Sequence, residues 1–272
     1  MSDAARTATP AASAATSELV RLWPAGSSLS AGAYASTQAE LVTRWHTHDM
    51  HQLAYAADGA VQVETAAARY LLPPQQAVWI PAGLAHRTTL RQVRDISLFF
   101  EPTMIQGYDD RARVLAVEPV LREMVCYATR WPVGRAHADP SGDAYFRALA
   151  ILIGEWLEQE SPFFLPTSAD PCVAQAMRHT EAHLSTVTML ELSRVVALSE
   201  RSLRRRFVVE TGLTWREYLL RSRLLRAMSL LSESDSPVAA VAARVGFSSA
   251  SAFARSFARY TGQSPSAYRG RH

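Results

Sequence analysis

Apolar and polar positions alternate with a period close to two between residues 38 and 100, the spacing of strands that turn successive side chains to opposite faces. Val61-Gln62-Val63-Glu64 follows the turn pair Asp58-Gly59, so residues 52–65 are expected to form a hairpin. Pro73-Pro74 and Pro81-Ala82-Gly83 punctuate the strands that follow, and Ala77-Val78-Trp79-Ile80 is a short apolar run. Short strands between frequent turns, with no strand–helix–strand alternation, predict a β-sandwich or small barrel.

The period then lengthens. Val120, Leu121, Met124, Val125 and Ala128 recur at helical spacing, as do Phe146, Leu149, Ile153, Trp156 and Leu157. They predict helices over 118–129 and 143–160, joined by a Gly/Pro/Asp-rich loop around 134–142. Their apolar stripes are wide for one sheet face to cover, so the central region, 111–165, is expected to mediate dimerisation. Residues 161–171, with three prolines, are the expected linker. Beyond it the pattern is helical to the end.

The helical half repeats itself. Leu203, Phe207, Thr211, Gly212 and Tyr218 recur fifty positions later as Phe253, Phe257, Thr261, Gly262 and Tyr268. A helix-turn-helix pattern stands upstream of each set. In the first copy, Thr188 and Glu191 form a capping box, Ala197-Leu198 makes a tight turn and Ser199 caps a second helix. In the second, Ser236-Pro237 starts a helix, Gly246 turns, and Ser248 or Ser249 caps the next. A long helix, 215–231, separates the copies. With Leu203 and Phe207 inward, Arg201, Arg204 and Arg205 project outward, where guanidinium groups can pair with guanine in a major groove. The second copy offers Ser251, Ala252, Ala254 and Arg255, a set suited to thymine methyls and phosphate.

Charge sharpens that picture. The net charge of the 272 residues is only +3, but residues 173–272 carry 15 Arg against 7 acids and residues 1–172 carry 13 Arg against 18 acids. A basic half joined to an acidic half points to nucleic acid as partner of the basic half. With 48% hydrophobic residues the chain can build packed cores, yet no run approaches the ~20 apolar residues of a spanning helix. Residues 1–17, rich in Ala, Ser and Thr, are expected to be a disordered tail and no signal peptide. Cys126 and Cys172 are too few for a disulfide framework, so a cytoplasmic protein with reduced thiols is expected.

The segment 246–269, Gly-Phe-Ser-Ser-Ala-Ser-Ala-Phe-Ala-Arg-Ser-Phe-Ala-Arg-Tyr-Thr-Gly-Gln-Ser-Pro-Ser-Ala-Tyr-Arg, closely resembles the signature of the AraC/XylS family of bacterial transcription regulators. The resemblance implies an all-α reader, 166–272, with two helix-turn-helix units on one face of double-stranded promoter DNA. Ser199, Arg201, Arg204 and Arg205 of the first unit, and Ser249, Ser251, Ala252 and Arg255 of the second, then fall at DNA-binding positions. Ser193 stands where the family usually has Ala, and Ala197 where its first turn usually has Gly.

Residues 44–53 and 73–86 resemble the two motifs of a cupin-type effector domain, here assigned to 18–110. The implied whole is a multidomain α and β protein: a cupin-like β-sandwich or barrel, central helices and a C-terminal double helix-turn-helix. Implied partners are promoter DNA, a small-molecule effector, RNA polymerase for an activator and a second copy in a homodimer, with no membrane.

His46 and His48, two apart on a strand, share a face with Gln52, and His86 arrives from the second motif. Together they could hold a divalent metal, Ni, Co, Fe or Zn. Gln52 stands where cupin enzymes usually carry Glu and lends no charge to a cation. The other reading is an effector pocket lined by His46, His48, Gln52, Trp79 and His86. A cupin dioxygenase or isomerase is the rival function. It would not need a duplicated helix-turn-helix, and the chain carries no nucleophile elbow, P-loop or Rossmann fingerprint.

Overall fold

In a computed structural model of the chain, residues 18–22, 29–72, 76–108, 110–135, 137, 139–161 and 163–269 are described. The expected tail, 1–17, lies outside them. Strands β1 (Glu18–Val20), β2 (Ala31–Val42), β3 (His46–His48), β4 (His51–Thr65), β5 (Ala68–Leu72), β6 (Gln76–Ile80), β7 (His86–Phe100) and β8 (Arg113–Ala116) lead into helices α1 (Pro119–Ala128) and α2 (Pro140–Leu157). Two short strands follow, β9 (Glu160–Ser161) and β10 (Phe164–Pro166). The chain then runs as α3 (Pro171–Ala182), α4 (Met189–Val195), α5 (Glu200–Thr211), α6 (Trp215–Glu233), α7 (Val238–Arg244), α8 (Ala250–Thr261) and α9 (Pro265–Arg269).

The ten strands form one nearly closed, almost wholly antiparallel barrel sheet built around β4 and β7. β7 pairs with β2, β3 and β4, and β4 pairs also with β5 and β6. The expected hairpin over 52–65 does not form. β4 runs through Asp58-Gly59 as one strand, with register shifts against β7 between Ala56 and Ala60 and Gly59 at φ 71°. The turn signal marks a bulge there, because the long partner strand β7 holds both flanks in one ladder.

The expected linker is corrected as well. β9 pairs with β8, and Phe164, Leu165 and Pro166 pair with Tyr70, Arg69 and Ala68, so the chain returns to the barrel before entering α3. The barrel therefore extends past the expected boundary at 110. α2 starts three residues before the expected 143, because Asp139 caps it by accepting from Ser141 N at 2.9 Å and also accepts from Trp131 Nε1 at 2.6 Å.

One apolar cluster joins Leu53, Tyr55, Trp79, Leu98 and Phe100 of the sheet to Leu121 and Val125 of α1 and Phe146, Leu149 and Ile153 of α2. The stripes expected to dimerise are thus covered by the chain's own sheet. The second cluster runs without a break from Val61, Leu72 and Leu90 of the barrel into Leu192, Phe207, Leu225 and Phe253 of the helices.

Candidate nucleic-acid interface and sensor pocket

Each helix-turn-helix is built by local capping. Thr188 Oγ1 accepts from Glu191 N at 3.2 Å to start α4, and Ser199 Oγ accepts from Ser202 N at 3.2 Å to start α5. In the second unit Ser249, and not Ser248, caps α8, accepting from Ala252 N at 3.2 Å. Both turns close with matching bonds, Leu198 N to Ser193 O at 3.0 Å and Phe247 N to Ala242 O at 2.9 Å. Ala197, at φ 53°, takes the left-handed place that Gly246 takes at φ 92°.

The repeat recurs in space. Phe207 meets Tyr218 edge-on at 5.3 Å, and Phe257 meets Tyr268 edge-on at 5.5 Å. Leu203, Phe207, Phe253 and Phe257 are fully buried. Arg201, Arg204, Arg205, Ser251 and Arg255 are left exposed on the opposite faces of α5 and α8, with Ala252 half-buried. Arg204 is drawn to Glu200 at 2.6 Å, and Arg206 to Asp170 at 3.3 Å. α6 packs against both units. Arg223 of α6 donates to Leu184 O at 2.8 Å, and the Gly246 turn closes on Leu184 and Ser185, fixing one unit against the other.

A cavity of about 250 Å3 opens in the barrel. His46 and Gln52 line it with Ser36, Asp95 and Ser97, while Leu41, Val61, Leu90 and Phe99 supply apolar wall. Trp79 is not among its lining residues. Strand alternation turns Trp79 to the other side of the sheet, where it is fully buried with Tyr55 and its ring lies tilted against that of His51 at 4.8 Å. His48 and His86 are not among its lining residues either.

The rings of His46 and His86 are 4.2 Å apart, those of His48 and His86 5.0 Å, and those of His46 and His48 6.2 Å. Each Nδ1 donates to a backbone carbonyl: His46 to Arg44 at 2.9 Å, His48 to Met50 at 2.6 Å, His86 to Leu84 at 2.9 Å. His48 Nε2 lies 2.9 Å from Gln52 Oε1, and Gln52 Nε2 donates to Ser97 Oγ at 2.9 Å. Burial holds His48 below the ordinary imidazole range and pushes His86 down to about 3.

The divalent metal expected on His46, His48, Gln52 and His86 would rest on three imidazoles and an uncharged amide. Among the described residues no carboxylate joins the rings, and no group of three or more His, Cys, Asp or Glu side chains that could hold a metal ion is found.

Two features escaped the sequence reading. Asp95 faces the cavity as the one carboxylate among its described lining residues, and its only signal was an acid at an inward-facing position of a strand. Arg69 of β5 reaches Glu181 of α3, a pair 112 residues apart for which no local pattern speaks.

Two family models match the chain: an AraC-like ligand-binding domain over residues 30–161 and a helix-turn-helix domain over 192–271. The chain is 29% identical to the HTH-type transcriptional regulator NimR of Escherichia coli (strain K12), over 84% of this chain and 83% of that protein. It is 37% identical to the probable transcriptional regulator LumQ of Photobacterium leiognathi, over 33% of this chain and 37% of that protein. The solved DNA-binding domain of AdpA, in complex with a target DNA, aligns at 35% identity over 36% of this chain and 90% of that domain, with a TM-score of 0.35.

Proposed function

The chain belongs to the AraC family of transcription regulators, and from that premise we propose that α5 and α8 read operator DNA while the barrel cavity senses a small molecule. The observation that carries the reading is the duplicated second helix, buried through Leu203/Phe207 and Phe253/Phe257 and exposing Arg201, Arg204 and Arg205 in one copy and Ser251 and Arg255 in the other. Ser199 and Ser249, at the helix N-caps, place backbone N–H groups and hydroxyls where phosphates run, and Ala252 offers a methyl to thymine. The cavity, with His46 and Gln52 on its wall, takes the effector. A ligand there biases how the acidic barrel sits on the basic reader.

The protein acts as a homodimer through the outer faces of α1 and α2, where Val120, Tyr127 and Ile151 stand exposed, Ile151 at 67%. It works in the cytoplasm, contacts RNA polymerase where it activates, and performs no covalent step. Among the described residues no helix is long and apolar enough to cross a membrane. Footprinting with the full chain on its neighbouring intergenic DNA tests the reading. Two protected major-groove segments on one face, lost steeply with salt at a log–log slope of about −0.9 per phosphate contact, are expected. Salt-insensitive or sequence-blind binding would overturn it. Ile151→Glu is expected to sediment as a folded monomer.

A further inference from the structure

Resting on the proposed sensing role of the barrel cavity, we propose that its ligand is a small amphipathic cation, a protonated amine or amidine, whose charged nitrogen pairs with Asp95 while its apolar part fills the rest of the cavity. Asp95 is only 7% exposed, yet it lines the cavity from β7. Its register partner on β2 is Ser36, whose hydroxyl donates to Asp95 Oδ1 at 2.5 Å. An ionised carboxylate has about four lone-pair sites, so the Ser36 hydroxyl and the residue's own backbone N–H leave part of its capacity unmet. The two arginines nearest along the same strand point elsewhere: Arg91 to Glu40 at 3.7 Å and Arg94 to Asp58 at 3.4 Å. Among the described residues no cationic side chain pairs with Asp95.

A buried charge without a counter-charge is costly and persists where something repeatedly supplies that charge. The cavity is built to receive it. Ser97 and Gln52 stand beside Asp95 as further hydrogen-bonding groups, and Leu41, Val61, Leu90 and Phe99 offer an apolar wall. Among the described residues no arginine lines the cavity, and the one imidazole there, His46, already gives Nδ1–H to Arg44 O, so these residues offer an anion no permanent positive charge. The cavity, of about 250 Å3, has room for an aromatic ring with one short amine arm.

Calorimetry on the full chain with three near-isosteric probes, benzylammonium, benzyl alcohol and benzoate, tests the proposal. Benzylammonium is expected to bind about tenfold or more tighter than benzyl alcohol, the worth of a charge-assisted bond over a neutral one, with benzoate weakest. Asp95→Asn should bring the ammonium down to the affinity of the alcohol without harming the fold, because Asn keeps the size and the Ser36 contact. Thr88→Phe, a half-buried lining position on β7, should block all three. If the alcohol or benzoate binds as well as the ammonium, and Thr88→Phe blocks it, the cationic class is overturned and the cavity stands as the sensing site. If no probe binds at millimolar concentration, or binding survives Thr88→Phe, both the class and the cavity fail.

Discussion

Arg69 on β5 of the barrel and Glu181 on α3 of the reader form a two-pronged ion pair, with Arg69 Nη1 2.7 Å from Glu181 Oε2 and Nη2 bound to Oε1. The hydroxyl of Tyr218 on α6 donates to the same carboxylate, and its pKa is raised far above the usual phenol range by burial and by that charge. α6 also packs on both helix-turn-helix units, so one carboxylate ties the barrel to the helix that carries both. Arg69→Ala should cost about 1–3 kcal/mol, and adding Glu181→Ala should cost less than Glu181→Ala does alone, since the Arg69 bonds are already gone and the Tyr218 bond is what is left to lose. A urea-denaturation double-mutant cycle measures this. Additive losses would show that the pair is no energetic unit, and then it could not transmit an effector signal.

Much of the reader was legible because its constraints are local and repeated. The fifty-residue offset names the same buried aromatic twice, and Phe207–Tyr218 and Phe257–Tyr268 make the same edge-on contact. Asp58-Gly59 misled because a turn signal says only that the backbone bends, and β7, thirty residues on, turns that bend into a bulge. The prolines of 161–171 misled similarly: Pro166 ends a strand added onto β5, where its missing N–H is tolerated. Trp79 illustrates period-two reasoning applied without knowing which face is the cavity. The rings of His46, His48 and His86 lie near one another, but the bond of His48 to Met50 cannot be read from spacing.

The two turns should respond oppositely to substitution. Ala197 holds a left-handed backbone with a Cβ, whereas a Cβ on Gly246 would stand 2.6 Å from Ser185 Cα and 2.9 Å from Leu184 O. Ala197→Gly is therefore expected to stabilise by about 1 kcal/mol. Gly246→Ala should destabilise by about 2 kcal/mol or more, because the second unit must move off the first. Thermal melting of both variants checks the pair of signs.

Among the DNA-facing arginines the losses should differ in kind. Arg201→Ala or Arg205→Ala should cost about 1–3 kcal/mol on the cognate site and relax base preference there. Arg204 must first leave Glu200, so Glu200→Ala should tighten binding to all sequences. Arg269 is a clasp, donating to Ser236 O at 2.5 Å, so Arg269→Ala should lower the melting temperature. Gel shifts on cognate and scrambled duplexes separate these outcomes, and equal losses on both duplexes would refute direct readout by Arg201 and Arg205.

The pH dependence of stability reports the charge state of Asp95. Burial raises its pKa above the ordinary 3.8, against the lowering effects of Ser36 and its own backbone. From that ordinary value up to the raised one, the folded chain keeps a proton the unfolded chain has released, so stability falls as pH rises across this window and levels off above it. His48 and His86 act in the opposite sense. Their folded pKa values are lowered from 6.5, so the folded chain binds fewer protons and stability rises toward 6.5. Tyr34 and His46 share the cavity with Asp95, and both remain in an Asp95→Asn variant, so the difference between wild type and that variant isolates the carboxylate. Asp95→Asn should melt higher at neutral pH, with an advantage that grows from acid through the raised pKa and then stays constant. An advantage that shrinks with rising pH would mean that Asp95 is stabilised as a carboxylate by the fold itself. A bound cation favours the ionised form, so benzylammonium affinity should climb across the same window in which wild-type stability declines.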